Sequence, residues 1–157
     1  IAHCPTSNLF LGSGLFSVAN AFSKERPVRT GLATDWGGGT SFSQLTSMGE
    51  AYKIAQLRGQ SLGAFHAFYL ATRGAAEALY LQDKIGSIAP GMEGDVTILD
   101  LKATPLLKHR MNYAENLHDV LFVLMTLALP QIVRATYIGG VCKMDRKETF
   151  DLHQYMS

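Results

Sequence analysis

Asp35 is the residue of this chain best placed to do chemistry. It lies in the run VRTGLATDWGGGTSFS, from Val28 to Ser43, where an apolar segment breaks into Gly37, Gly38 and Gly39. Val28 to Thr34 has the length and composition of a short buried strand, and the three glycines read as the loop that follows it. A carboxylate at the carboxyl end of a strand stands where open and closed α/β sheets put their ligands and catalytic groups. An isolated Asp-x-Gly also serves to cap a turn or the next helix. The surrounding chain has to decide between the two.

The other reactive side chains are scattered. The histidines are His3, His66, His109, His118 and His153, and no His-x-His pair occurs. His66, His109, His118 and His153 fall in helix or loop contexts without the spacing of metal ligands. His3 precedes Cys4-Pro5, a setting in which a histidine often bonds backbone. Cys4 has no evident positive neighbour and reads as a small buried hydrophobe, not a nucleophile. Trp36, next to Asp35, can wall a pocket for a flat ring or simply fill space. Gly12-Ser13-Gly14 lacks the third glycine of a dinucleotide loop and the Lys-Ser/Thr of a phosphate loop, which argues against a nucleotide cofactor.

The elements that must position Asp35 follow from the local pattern. Ile1 to Cys4 reads as the end of a strand closed by Pro5, and Thr6 to Gly14 as a turn-rich loop. Leu15 to Phe22 allows one or two helical turns before the Val28 to Thr34 strand. That spacing suits a parallel β-α-β unit compressed into about thirty residues. Ser41 and Gln44 fit a capping box for a helix with Leu45, Met48, Tyr52 and Ala55 on one face, ending at Arg58 before Gly59. Leu62 to Leu81 reads as helix broken near Ala71 to Gly74, with Thr72 as cap of the second piece. Val96 to Leu101 reads as a strand, and Lys102 to Arg110, with Pro105, as a connecting loop. Asn116 caps a helix to about Ala128 that is apolar nearly all round, which implies burial on several sides or a subunit contact. Gln131 to Ile138 and Val141 to Met144 flank Gly139-Gly140, the two-residue turn of a hairpin.

Composition narrows the class. The 157 residues are 47% hydrophobic and 17% charged, apolar for a small chain. The net charge is +1 with Lys and Arg dispersed, so neither nucleic acid nor a membrane surface is expected as partner. Cys4 and Cys142, far apart, favour a reducing, cytoplasmic setting over a disulfide scaffold. No charged, apolar leader opens the chain, and the apolar stretch Leu117 to Leu129 is shorter than the ~20 residues of a membrane span. No internal repeat or low-complexity tract occurs.

Five segments taken together resemble the carboxyl-terminal part of the guanine deaminases, within the amidohydrolase superfamily. They are AHCPTSNLFLGSG (Ala2 to Gly14), the Asp35 run, EAYKIAQL (Glu50 to Leu57), AFYLATRGAAEAL (Ala67 to Leu79) and IGSIAPGMEGDVTILD (Ile85 to Asp100). The last marks the superfamily. HCPTSN with GSGLF, TDWGGGTSFS and EAYK point to guanine as a set, and only weakly one by one. The resemblance implies an α/β fold: the last two strands of a (β/α)8 barrel with their helices in residues 1–84, strands of a small β-sandwich domain with one apolar helix in 85–150, and a tail in 151–157. A whole barrel takes roughly 250 residues. The chain also starts at Ile1, inside what reads as a strand, and is expected to be a piece of a larger protein.

The resemblance implies hydrolysis of guanine to xanthine and ammonia by a metal-activated water, with one zinc or iron. It makes Asp35 a metal ligand and proton shuttle, because an acid beside the polarised water must take and return protons as ammonia leaves. His3, at the end of a barrel strand, then lies near substrate or behind the metal ligands, and Trp36 beside the purine. Ser7 and Asn8 shape the pocket rim. The family's His-x-His and mid-barrel histidines are missing, so this chain is expected to be inactive alone and its metal position empty. A cytosine, adenosine-derivative or triazine hydrolase is the neighbouring reading. A non-catalytic, self-associating fragment is the reading from another class: open strand edges and an uncovered apolar face favour a homo-oligomer.

Overall fold

Two residues of strand suffice to set the frame around Asp35. In the computed structural model, which describes residues 1–127 and 129–146, β1 (Ala2–His3) runs parallel to β2 (Gly31–Leu32), with Ala2 opposite Gly31 and His3 opposite Leu32. The predicted strand over Val28 to Thr34 is thus trimmed to its centre. Backbone bonds extend the pairing at both ends, from Gly31 N–H to the Ile1 carbonyl (3.0 Å) and from Ala33 N–H to the His3 carbonyl (2.9 Å). Gly31 is required by packing: a Cβ there would lie 2.5 Å from the Ala75 Cα.

Between these strands the chain departs from the expected loop. Pro5–Leu11 is helix α1, ended by Gly12 in the left-handed conformation (φ 67°). Pro5 does not stop the chain from turning helical; it occupies the first helical turn, where its missing N–H costs nothing and its fixed φ is already right. A short helix α2 (Val18–Ala21), capped by Ser17, then leads toward β2.

Helix α3 (Gln44–Leu57) follows the Asp35 loop and buries Leu45, Met48, Ala51, Ile54 and Ala55. Its N-cap is Ser43, whose hydroxyl accepts from Thr46 N–H, and not Ser41. Ser41 Oγ instead accepts from Ser43 N–H (3.1 Å), and the Gln44 amide reaches the Leu32 carbonyl (3.2 Å), tying α3 to β2. The next helical stretch is broken as expected, into α4 (Ala64–Ala71) and α5 (Arg73–Ala78). Thr72 lies at the break but caps nothing with its side chain, because its hydroxyl donates back to the Phe68 carbonyl (2.7 Å).

The remaining elements are β3 (Val96–Leu99), α6 (Pro105–Met111), α7 (Leu117–Leu127), β4 (Val133–Ile138) and β5 (Val141–Asp145). The segment expected to be a connecting loop after Lys102 is therefore helical. Thr104 caps α6 by accepting from Leu107 N–H (3.1 Å), Pro105 opens it, and Lys108, His109 and Arg110 fill its last turn. Asn116 caps α7 as expected, accepting from Asp119 N–H (3.1 Å). Strands β3, β4 and β5 form an antiparallel sheet in that order. The β4–β5 turn is Gly139-Gly140, both at positive φ (57° and 75°), as a tight hairpin turn requires. Arg134 pairs with Asp145 across the same two strands.

The core lies among the helices. Leu32 of β2, Leu45, Met48, Ala51 and Ala55 of α3, Leu62, Ala67 and Leu70 around α4, Leu107 of α6, and Val123, Leu124 and Met125 of α7 form one buried cluster. Helix α7 packs on both α3 and α4, which accounts for a helix apolar on more than one side. The expected tail (151–157) and His153 lie outside the described residues, as does Ala128.

Candidate active site

Asp35 follows β2 by three residues and is held in two ways. Its backbone adopts a left-handed conformation (φ 52°), which Asp tolerates better than most residues. Its carbonyl accepts from Gly38 N–H (2.9 Å) and Gly39 N–H (2.6 Å), closing the turn. The glycines are needed for closeness more than for freedom. A Cβ on Gly38 would sit 2.6 Å from Asp35 Oδ2, and one on Gly39 would run into the Thr34 carbonyl and lie 2.8 Å from Thr6 Oγ1.

The side chain is held by α1. Ser7 Oγ donates to Asp35 Oδ2 at 2.6 Å, the short distance of a bond to a charged acceptor. Ser7 and Thr6 are buried on the first turn of α1, so the segments after β1 and after β2 meet here. Asp35 itself is exposed, and Oδ1 has no hydrogen-bond partner among the described residues. The arrangement presents one carboxylate oxygen outward from a fixed turn.

Cys4 is half-buried beside this group. Burial, with the negative charge of Asp35 second, pushes its thiol pKa up. It is held as a thiol, in line with its reading as a small hydrophobe.

His3 is 2% exposed and stacks on Phe16 with ring centres 4.5 Å apart. Neither ring nitrogen has a hydrogen-bond partner among the described residues. Burial lowers its pKa from 6.5 to about 4, with nearby Asn8 acting in the opposite direction without a well-formed hydrogen bond. His3 is therefore a neutral, buried ring on the strand next to the one that delivers Asp35. It is not part of the Ser7–Asp35 pair.

Trp36 is 80% exposed and leans against Phe42, with ring centres 6.1 Å apart. The structure thus brings Asp35, Ser7 and Cys4 together, and leaves His3 buried on the neighbouring strand and Trp36 exposed. Among the described residues no three His, Cys, Asp or Glu side chains gather as a metal-binding group. A divalent ion such as zinc needs three or four protein ligands, so the residues present do not form a metal site by themselves. Two shallow hollows lie elsewhere, one lined by Arg110, Tyr113, His118 and Phe122, the other by Phe22, Arg29, Tyr69 and Glu77.

The sequence matches the Amidohydrolase family over residues 1–142. The chain belongs to this family. Guanine deaminase of Escherichia coli K12 is 48% identical over 140 residues, covering 89% of this chain and 31% of that protein. The probable guanine deaminase of Deinococcus radiodurans is 37% identical over 143 residues, again 89% of this chain and 32% of the relative. Among solved structures, E. coli guanine deaminase superimposes with a TM-score of 0.88 at 46% identity, covering 93% of this chain and 34% of its own. An adenosine deaminase from Xanthomonas campestris, solved with bound zinc, gives 0.76 at 28% identity over 98% of this chain and 34% of its own. This amidohydrolase chain therefore spans about a third of the length of the curated relatives it matches, and its architecture is a partial α/β fold.

One contact of the site escaped the sequence reading. Ser7 was legible as part of the pocket rim through the resemblance alone, and its bond to Asp35 was not. The available signal was Pro5 directly after a strand: as the first residue of a helix, it puts residue 7 on the turn facing the neighbouring strand's loop.

Proposed function

We propose that this chain is the carboxyl-terminal part of an amidohydrolase that converts guanine to xanthine and ammonia by hydrolysis. The observation that carries this reading is Asp35, at the carboxyl end of a parallel strand, with one oxygen tied to Ser7 and the other open. The 48% identity to E. coli guanine deaminase supports guanine over other substrates.

Asp35 is the residue of this chain assigned to the metal, zinc or iron, and to the proton transfers. The other ligands have to come from outside these residues, so the isolated chain is inactive and binds no catalytic ion tightly. Trp36, with Phe42 behind it, offers an aromatic face beside the acid and is assigned to the purine side of the pocket. His3 is assigned to a position near the substrate, as a buried neutral ring on the strand beside the one that delivers Asp35. Residues 1–84 belong to the barrel and 85–150 to the small β domain, with α7 docked back on α3 and α4. The whole protein is placed in the cytoplasm as a homo-oligomer; Cys4 and Cys142 are both free thiols.

Release of ammonia by the full-length protein from guanine, cytosine, adenosine derivatives and triazines tests the assignment. Guanine is expected to be preferred. A preference for an adenosine derivative would instead favour the second reading, a related purine deaminase, for which the zinc-bound adenosine deaminase with the same fold speaks.

A further inference from the structure

We propose that Ser7 is the positioning residue for Asp35, selecting which carboxylate oxygen faces the reacting groups; this rests on the reading of Asp35 as the catalytic acid. Four observations converge on it. Ser7 is 2% exposed, so its hydroxyl has no water to turn to. Its Oγ points away from its own helix, across to the loop after the neighbouring strand, and donates to Oδ2 at 2.6 Å. Gly38 leaves no room beside that oxygen, since a Cβ there would stand 2.6 Å from it and 3.5 Å from Ser7 Oγ. The Asp35 backbone is fixed independently by the two glycine N–H groups. With the main chain and Oδ2 both anchored, Oδ1 is the oxygen left to work.

A short aspartate has one internal rotation between backbone and carboxylate and one about the carboxylate itself. The backbone turn restrains neither of them directly. A donor on Oδ2 restrains both, and the alternative orientations would leave a buried hydroxyl unpartnered. Fixed orientation is worth most where a group must meet a reacting atom at close range. A residue that only joined α1 to the loop would affect folding; one that aims the acid affects turnover.

The test uses the full-length protein that carries this chain. Ser7→Ala is expected to lower kcat for guanine about 10- to 100-fold while KM and the melting temperature hold. Ser7→Thr, which keeps the donor, is expected to restore most of kcat. Gly38→Ala, which crowds the same oxygen while leaving Ser7 in the sequence, is expected to lower kcat. Crystal structures of the metal-free protein supply the readout that does not depend on activity: one Asp35 carboxylate orientation in the parent and in Ser7→Thr, and several in Ser7→Ala. Unchanged kcat in Ser7→Ala where Asp35→Asn is inactive overturns the positioning role, as does a single carboxylate orientation in Ser7→Ala. Full activity in Asp35→Asn overturns the reading of Asp35 instead, and the orientation experiment then still reports on the Ser7 bond by itself.

Discussion

At the scale of single residues, His3 carries a consequence for pH. Its folded-state pKa of about 4 lies below the 6.5 of the unfolded chain, so between these values the unfolded chain holds the extra proton. Stability conferred by the neutral ring is therefore complete above pH 6.5 and falls as pH drops toward 4. The shift corresponds to about 3 kcal/mol at the acidic end. Urea unfolding between pH 4 and 7 is expected to show this slope, and a His3→Leu chain, whose aliphatic side chain cannot protonate, is expected to lose most of it. An equal slope in both would assign the acid sensitivity to other groups. The same residue shows the limit of sequence reading. The side chain's place at the end of a strand was legible from Pro5 and the apolar run, but its burial against Phe16 depends on how the segment after Gly14 folds back.

At the scale of elements, the fold hangs on close approaches and caps. Gly31→Ala would push β2 off α5, because the new Cβ meets Ala75 backbone at 2.5 Å. Overpacking of this kind costs about 1–3 kcal/mol, readable as a shift in the denaturation midpoint. Thr104→Ala removes the cap of α6 and is expected to cost about 1 kcal/mol, whereas the same change in a flexible connection would do nothing. Helices α3, α4, α5 and α7 and the Gly139-Gly140 hairpin were legible because apolar spacing, caps and turn residues agree there. Helices α1 and α6 were not, for a shared reason: each begins with a proline after a strand or polar stretch, and proline inside a helix and proline at its first position look alike until the following turn is weighed. For α6 the signals were present in Thr104, Pro105 and the basic Lys108 to Arg110. The Ser41–Gln44 spacing was misleading in the opposite way, matching a capping box two residues ahead of the true cap at Ser43.

For the whole molecule, surface and site say the same thing. Phe10, Leu11, Trp36, Phe42 and Leu57 are each more than half exposed, and β1 and β2 each have a single strand neighbour among the described residues. Open edges and uncovered apolar side chains favour association. Sedimentation of the 157-residue chain is expected to show species larger than a monomer, and a compact monomer at high concentration would contradict this. No helix of the described residues is long and apolar enough to cross a membrane. Asp35 was legible as an acid at the carboxyl end of a strand because its carboxylate, the glycines and the strand before it are contiguous in sequence. No further ligands were legible, and among the described residues no group of three His, Cys, Asp or Glu side chains forms. On the proposed reading this chain contributes one acid to a guanine-hydrolysing site and cannot act alone. Xanthine formation from guanine, with zinc supplied, compares the isolated chain with the full-length protein under identical conditions. Turnover by the full-length protein and none by the chain is the expected result; turnover by the chain alone, or none by either, would contradict the account.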